Sequence, residues 1–237
     1  MRKSYLLGLI IAFLLSWGNL IPDATYAQEG TGNITVQTIP GPTVAQQLAH
    51  RTSSSWSWYL TRASGLIAAI ALVILMLSGI GQLTGYSFRF LEPLTAWASH
   101  RALGITFGVA VLIHMFTLLF DHFVPFTLLT IFIPWLSTYK PLTIAGIQFG
   151  SLYVALGVLA FYATIMVILT SLFWIDKKPY IWKITHLTSY FIIAAVFVHA
   201  LYIGTDLASG WLRWLWIGLA LLITGAIIHR LRRVKTI

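Results

Sequence analysis

The sequence contains no cysteine among its 237 residues. This absence excludes disulfides, iron–sulfur clusters bound by thiolates, and covalently attached c-type haem, which requires a Cys-x-x-Cys-His run. Charged residues are also scarce, at 9% of the chain, whereas they form about a quarter of a soluble domain. Because 58% of the residues are hydrophobic, the composition predicts a membrane protein, in which any haem would be held non-covalently by imidazole.

Acidic residues are the rarer charged class, with 6 Asp and Glu against 15 Lys and Arg. The basic residues lie between apolar segments, where membrane topology explains their position. We therefore expect lipid as a partner and no nucleic acid.

The first 27 residues resemble a secretory signal peptide, with a basic start, an apolar core at 5–17 and a small-residue site ending at Ala27. The alternative is an uncleaved first membrane helix, which would be the sixth of the chain. We favour cleavage because the apolar run is short and is followed by Asn19 and Pro22.

Five apolar segments follow a polar exoplasmic segment at 28–55, and each is close to the roughly 20 residues that a membrane helix needs. A shorter apolar run from Phe123 to Leu136 contains two prolines, which favours an interfacial or re-entrant element. A basic cytoplasmic tail at 231–237 ends the chain. The predicted fold is an all-α, five-helix transmembrane bundle with spans at 60–82, 98–120, 147–173, 184–204 and 211–229.

The basic residues predict an orientation in an inner (plasma) membrane. With the mature N-terminus outside, nine of them lie on the cytoplasmic side and four lie outside, so the C-terminus is cytoplasmic. The 98–120 and 184–204 helices then run parallel, from inside to outside. The cytoplasmic residues are Arg89, Arg101, Lys177, Lys178, Lys183, Arg230, Arg232, Arg233 and Lys235, and the outer ones are Arg51, Arg62, Lys140 and Arg213.

These two parallel segments each carry two histidines, His100 and His114 in the first and His186 and His199 in the second. Ionisable side chains inside a membrane helix are costly and usually functional. The rise of a helix separates the two members by about 21 Å in the first segment and about 19.5 Å in the second. The matched depths predict two stacked b-type haems, an inner one between His100 and His186 and an outer one between His114 and His199.

The angular positions of the histidines are less regular. Fourteen steps of an ideal helix return to within about 40° of the starting face, whereas thirteen steps end about 140° away. The second segment therefore needs local tightening of the helix, or a different approach of its haem.

Glycines and basic residues near the histidines are further candidates for haem contact. Gly104 and Gly108 follow His100 on nearly the same face, where they would admit a porphyrin or a partner helix. Haem propionates need basic partners near the membrane interfaces. Arg101 and Lys183 flank the inner histidines, and Arg62 lies near the outer edge, as do Lys140 and Arg213.

The remaining three histidines carry less information. His50 and His229 lie in polar surroundings and are expected to be solvated. His122 follows Asp121 at the outer mouth of its helix, where it could touch the outer haem edge or a metal substrate.

The chain resembles the ferric-reductase-like transmembrane domain, a family that includes ferric reductases, NADPH oxidases and the haem subunit of a periplasmic methionine sulfoxide reductase. The resemblance covers residues 56–230 and rests on residues 58–65 (WYLTRASG), on His100-Arg101-Ala102-Leu103-Gly104 leading to His114, and on residues 182–190 (WKITHLTSY) leading to His199. It implies that the four histidines are axial ligands of two b haems. The unequal separations of thirteen and twelve residues are similar to those of the NADPH oxidases.

Many members of that family continue into a flavin- and nicotinamide-binding module, which this sequence does not show. Gly79-Ile80-Gly81 is no substitute, because it lies inside an apolar helix with no strand before it. The resemblance thus implies a haem b oxidoreductase subunit that takes electrons from a donor protein, reduced flavin or quinol. Ferric iron, oxygen or an exoplasmic reductase would accept them.

Two alternatives remain open at this level. One is a non-redox transporter in which the histidines relay protons, which should pair them with acidic residues inside the spans. The other is a haem-bearing subunit that serves only as a passive anchor.

Overall fold

The computed structural model describes residues 44–121, 124 and 126–233, with side chains from residue 55 to 232. The described part is mostly helical, with seven α-helices and one two-stranded hairpin. The N-terminal 43 residues, which include the predicted signal peptide, lie outside it. The helices are α1 (Val44–Thr84), α2 (Pro93–Leu118), α3 (Leu128–Phe132), α4 (Leu152–Phe173), α5 (Pro179–Leu187), α6 (Ser189–Ile203) and α7 (Trp211–Arg233), and the strands are β1 (Thr143–Ile144) and β2 (Ile147–Gln148).

The prediction of five helices long and apolar enough to cross a membrane is confirmed. Within the described residues these spans are Ser55–Thr84, Pro93–Leu118, Leu152–Phe173, Pro179–Ile203 and Trp211–Arg232. Several boundaries differ from the predicted ones. Helix α1 already begins at Val44, inside the segment predicted to be polar, and α7 continues through residues 231–233 of the predicted tail.

Local sequence sets the helix ends. Gly85, with φ of 79°, follows α1 in the left-handed conformation that ends many helices. Pro93 and Pro179 occupy the first positions of α2 and α5, where the absent N–H costs no hydrogen bond. Ser151 caps α4 by accepting a hydrogen bond from the N–H of Val154 at 3.2 Å.

The spanning helices form two antiparallel pairs. Helix α1 packs along α2, and α4 packs along α6, while α7 lies against α1. Small residues permit the close approach of α4 and α6, as in other membrane bundles, and Ala155, Ala160 and Ala195 are at most 3% exposed. Helices α2 and α6, which carry three of the four histidines, therefore pack on other helices more than on each other.

The described part of the connection between α2 and α4 contains no helix long enough to cross a membrane. In it the predicted interfacial run includes the five-residue α3, which is followed by the hairpin, whose two-residue turn places Ala145 and Gly146 at positive φ. The predicted span 147–173 therefore starts too early, because α4 begins at Leu152. Neither Gly146 nor Gly150 of this connection is helical. A Cβ on Gly150 would collide with the backbone of Trp135.

Apolar side chains cover the outside of the bundle, which suits contact with lipid. Between α1 and α2 a groove of about 340 Å³ is lined almost entirely by apolar atoms. Its walls include Ile67, Ile105 and Val109, and each of these is about half exposed. Such a surface is stable only beside hydrocarbon.

One ion pair ties the loop between α6 and α7 to α1. The Arg62 guanidinium donates to both carboxylate oxygens of Asp206, with Nε at 2.8 Å from Oδ2, and lies 4.1 Å from the centroid of the Trp58 ring. The side chains of the pair are 33% and 16% exposed, so water weakens the attraction only in part.

We expect Arg62→Gln and Asp206→Asn each to lower the free energy of unfolding, because each leaves the other charge partly desolvated. The double variant should lose less than the sum, with a coupling of about 1 kcal/mol for a two-pronged, partly exposed pair. Unfolding of the purified protein in detergent, measured for the wild type, both single variants and the double variant, gives this value. Strict additivity would contradict the assignment.

Candidate haem-binding site

The four central histidines lie on three helices. His100 and His114 are on α2, His186 is on α5, and His199 is on α6. The break between α5 and α6 falls at Thr188, whose N–H donates to the carbonyl of Thr185 at 3.0 Å, three residues back. The segment that carries His186 and His199 is thus two helices and not one. The phase of an uninterrupted helix therefore does not apply to His186 and His199.

The inner pair meets across the bundle. The ring centroids of His100 and His186 are 6.2 Å apart, and the ring planes are inclined by 49°. An ion bound by one nitrogen of each ring, at about 2.0 Å per bond, separates two such centroids by about 6 Å. The spacing of this pair thus fits two axial ligands of one metal centre.

The outer pair is deeper in the protein, and both rings are anchored to backbone carbonyls. His114 donates from Nδ1 to the carbonyl of Thr61 at 2.9 Å, and His199 donates from Nδ1 to that of Tyr153 at 2.8 Å. Since a carbonyl only accepts, Nδ1 carries the proton in both rings, and the Nε2 lone pair is free to bind a metal.

His100 has the same tautomer, for a different reason. Its Nδ1 lies 2.8 Å from the hydroxyl oxygen of Ser78, and that hydroxyl donates its only proton to the carbonyl of Leu75 at 2.9 Å. Towards His100 the serine oxygen must therefore accept, so Nδ1 donates. Histidines that bind metals usually donate their other ring nitrogen in this way, which fixes the ring orientation.

His186 is the exception among the four. Its Nδ1 is buried and has no hydrogen-bond partner, although the ring lies 5.4 Å from the ring of Trp182 on the same helix. Trp182 is fixed in turn by a 3.2 Å hydrogen bond from its Nε1 to the hydroxyl of Ser171. A buried imidazole nitrogen without a hydrogen-bond partner lowers the stability of the folded protein, unless a bound group supplies that partner.

The histidines come in pairs and not in larger clusters. No group of three or more His, Cys, Asp or Glu side chains able to hold a metal ion occurs among residues 44–121, 124 and 126–233. Two imidazoles alone leave most positions around an ion unfilled. They fit a cofactor that brings its own four equatorial nitrogens, as haem does.

The five basic candidates differ in their surroundings. Arg101 and Lys183 are exposed on α2 and α5, and the Arg101 guanidinium lies 5.5 Å from the centroid of the Trp97 ring. Arg62 is engaged by Asp206, which a haem propionate would have to displace. Lys140 donates to the carbonyl of Tyr202 at 2.7 Å, and Arg213 donates to that of Leu207 at 3.0 Å.

The two glycines predicted to admit a porphyrin have different neighbours. A Cβ added to Gly104 would meet no atom within 4 Å, so this side of α2 is open. A Cβ on Gly108 would lie 2.6 Å from the terminal methyl of Ile168. Gly108 therefore serves the packing of α2 against α4, which was the alternative interpretation of that residue.

The other histidines lie apart from the two pairs. His229 is exposed on α7, with its ring 6.0 Å from that of Tyr86. His122 and the side chain of His50 lie outside the described residues.

Three glycines were not recognised as part of the site from the sequence. Gly65, Gly79 and Gly157 each face the ring of one candidate ligand, namely His114, His100 and His199. A signal for two of them was present. Gly65 and Gly79 are fourteen residues apart, as are His100 and His114, on segments that run in opposite directions.

Comparison of the sequence with protein-family models, with curated proteins and with solved structures finds no match.

Proposed function

We propose that this protein carries single electrons across a membrane by holding two b-type haems between its histidine pairs. The proposal includes membership of the ferric-reductase-like transmembrane family, on the motifs of α1, α2 and α5. The observation that carries it is the ring separation of 6.2 Å between His100 and His186, two residues on different helices and 86 positions apart.

The hydrogen bonds around the rings support the same function. Three of the four imidazoles are held through Nδ1, which leaves Nε2 as the ligating nitrogen and raises its basicity. Haem bound in this way has no open axial position, which suits electron transfer and not oxygen chemistry at the iron. The chain's own contribution is to hold the ligands at two depths inside walls of low dielectric constant.

The direction of electron flow follows from the proposed orientation. A donor at the cytoplasmic face, whether a protein, reduced flavin or quinol, would meet the end that bears His100 and His186. Outward movement runs with an inside-negative potential and gains about 2.3 kcal/mol per 100 mV for each electron. The acceptor outside is ferric iron, oxygen or an exoplasmic reductase.

A proton relay by the same histidines is the weaker candidate. Such a relay needs acidic partners in the spans, yet none of the five spans contains Asp or Glu. Asp206, the acidic residue nearest in sequence to His199, is bound to Arg62. The carbonyls that accept from His114 and His199 do not take up a proton at physiological pH, so they cannot extend a relay.

Sealed lipid vesicles containing the purified protein provide the test. We expect external dithionite to reduce trapped ferricyanide well above the rate in protein-free vesicles, because electrons can cross while neither reagent can. Mixed orientations do not affect this result, since the haems can be reduced from either side. A rate equal to that of empty vesicles, with both haems present, would favour the passive-anchor alternative.

A further inference from the structure

The rings of three candidate ligands lie directly against glycines of neighbouring helices. A Cβ added to Gly157 would come within 2.6 Å of Cε1 and Nδ1 of His199. A Cβ on Gly65 would come within 3.1 Å of Nδ1 of His114, and one on Gly79 within 3.3 Å of Cε1 of His100. The first distance is one that real Cβ atoms do not show, and the other two are tighter than ordinary contacts.

The same glycines stand in a fixed relation to the hydrogen-bond acceptors. His114 donates to the carbonyl of Thr61, four residues before Gly65, and His199 donates to that of Tyr153, four residues before Gly157. In a helix the residue four positions on lies directly above a carbonyl, so its side chain would cover that oxygen. Only glycine leaves the carbonyl open to an imidazole from outside the helix.

The inner pair uses a variant of this arrangement. His100 lies against Gly79, and its acceptor is the hydroxyl of the preceding residue, Ser78. His186 differs, because no glycine within residues 44–121, 124 and 126–233 would place an added Cβ against its ring. It is also the one candidate ligand whose Nδ1 has no partner. Glycine contact and anchoring through Nδ1 therefore occur together in three rings and are both absent in the fourth.

We propose that Gly65, Gly79 and Gly157 are positioning residues that seat the imidazoles of His114, His100 and His199, fixing the ligating nitrogen and the plane of each ring. This inference rests on the proposed function, because a fixed ring plane matters to a bound haem. Gly65 and Gly157 face rings of the outer histidine pair, and Gly79 faces a ring of the inner pair.

Low-temperature EPR of the oxidised, detergent-purified protein tests the inference. In low-spin ferric haem with two imidazole ligands, the largest g value depends on the angle between the two ring planes. We expect Gly157→Ala and Gly65→Ala to shift the signal of one and the same haem, and Gly79→Ala to shift the signal of the other. The shift should be largest for Gly157→Ala, where the added methyl lies closest to the ring.

Two matched controls use glycines of the same bundle. A Cβ on Gly218 or Gly225 of α7 would meet no atom within 4 Å, so Gly218→Ala and Gly225→Ala should leave both signals in place. Should Gly157→Ala fail to fold, Gly65→Ala and Gly79→Ala, which need only a few tenths of an ångström of adjustment, decide the question.

If the EPR signals of both haems were unchanged in all three glycine variants, the glycines would not position the imidazole rings. The proposed function would not be affected by that result. Equal shifts of both signals, or the same shifts in the Gly218 control, would also overturn the positioning role of the glycines, because they indicate general loosening of the bundle. A wild-type protein without haem would overturn the proposed function and this inference with it.

Discussion

Replacement of His199 by alanine is expected to reduce the haem content from about two per chain to about one. Alanine removes the imidazole that the carbonyl of Tyr153 holds in place, and with it one of the two ligands proposed for the outer haem. The inner site, on the opposite side of the membrane, should keep its haem at least in part. His114→Ala should give the same result, and the pyridine haemochrome assay relative to protein concentration measures it.

The reduced variants provide a second readout of the same change. A haem that remains at the outer site on one ligand has an open axial position, so it should bind carbon monoxide, whereas the wild type should not. His229→Ala is the matched control, because His229 is exposed on α7 and lies apart from both pairs. If His199→Ala retained two haems and remained inert to carbon monoxide, His199 would not be a ligand.

Replacement of His100 by alanine is expected to abolish electron transfer across the vesicle membrane, although the outer haem remains bound. The two histidines of α2 are about 21 Å apart along the helix. Electron transfer over such a distance is slow unless a second redox centre lies in between. Loss of the inner site should thus reduce the rate of trapped ferricyanide reduction to that of empty vesicles. His186→Ala should have the same effect.

Two comparisons separate loss of the relay from loss of structure. The outer haem of His100→Ala should keep its wild-type optical and EPR signals, since Gly65, Gly157 and their two rings are untouched. Ser78→Ala removes only the acceptor for the His100 ring and should retain transfer. Transfer at the wild-type rate in His100→Ala would show that electrons bypass the inner pair.

The sequence was sufficient to predict the five spans. A long apolar segment indicates a helix that spans a membrane, because its length matches the thickness of the hydrocarbon core. The constant rise of a helix gives the distance between two residues on it. The ends of the helices could be predicted less accurately from the sequence. Ile147 and Phe149 extend the hydrophobic run of α4 towards the N-terminus, yet Ile147 belongs to a hairpin strand, because the turn at Ala145 and Gly146 precedes it.

The orientation of the rings could not be predicted, because it depends on contacts between helices. Thr188 interrupts the last histidine segment, and nothing in its apolar pattern indicates this. In the sequence, Gly79 shows only a superficial resemblance to a nucleotide-binding loop, and Gly157 belongs to no recognisable motif. Their role emerges when helices α1 and α4 are set beside the rings that they face.

The haem content of the purified full-length protein, produced in haem-replete cells, tests the central claim most directly. The proposed function predicts a red protein with b-type bands in its reduced-minus-oxidised spectrum and about two haems per chain. A folded, monodisperse and colourless protein would contradict it.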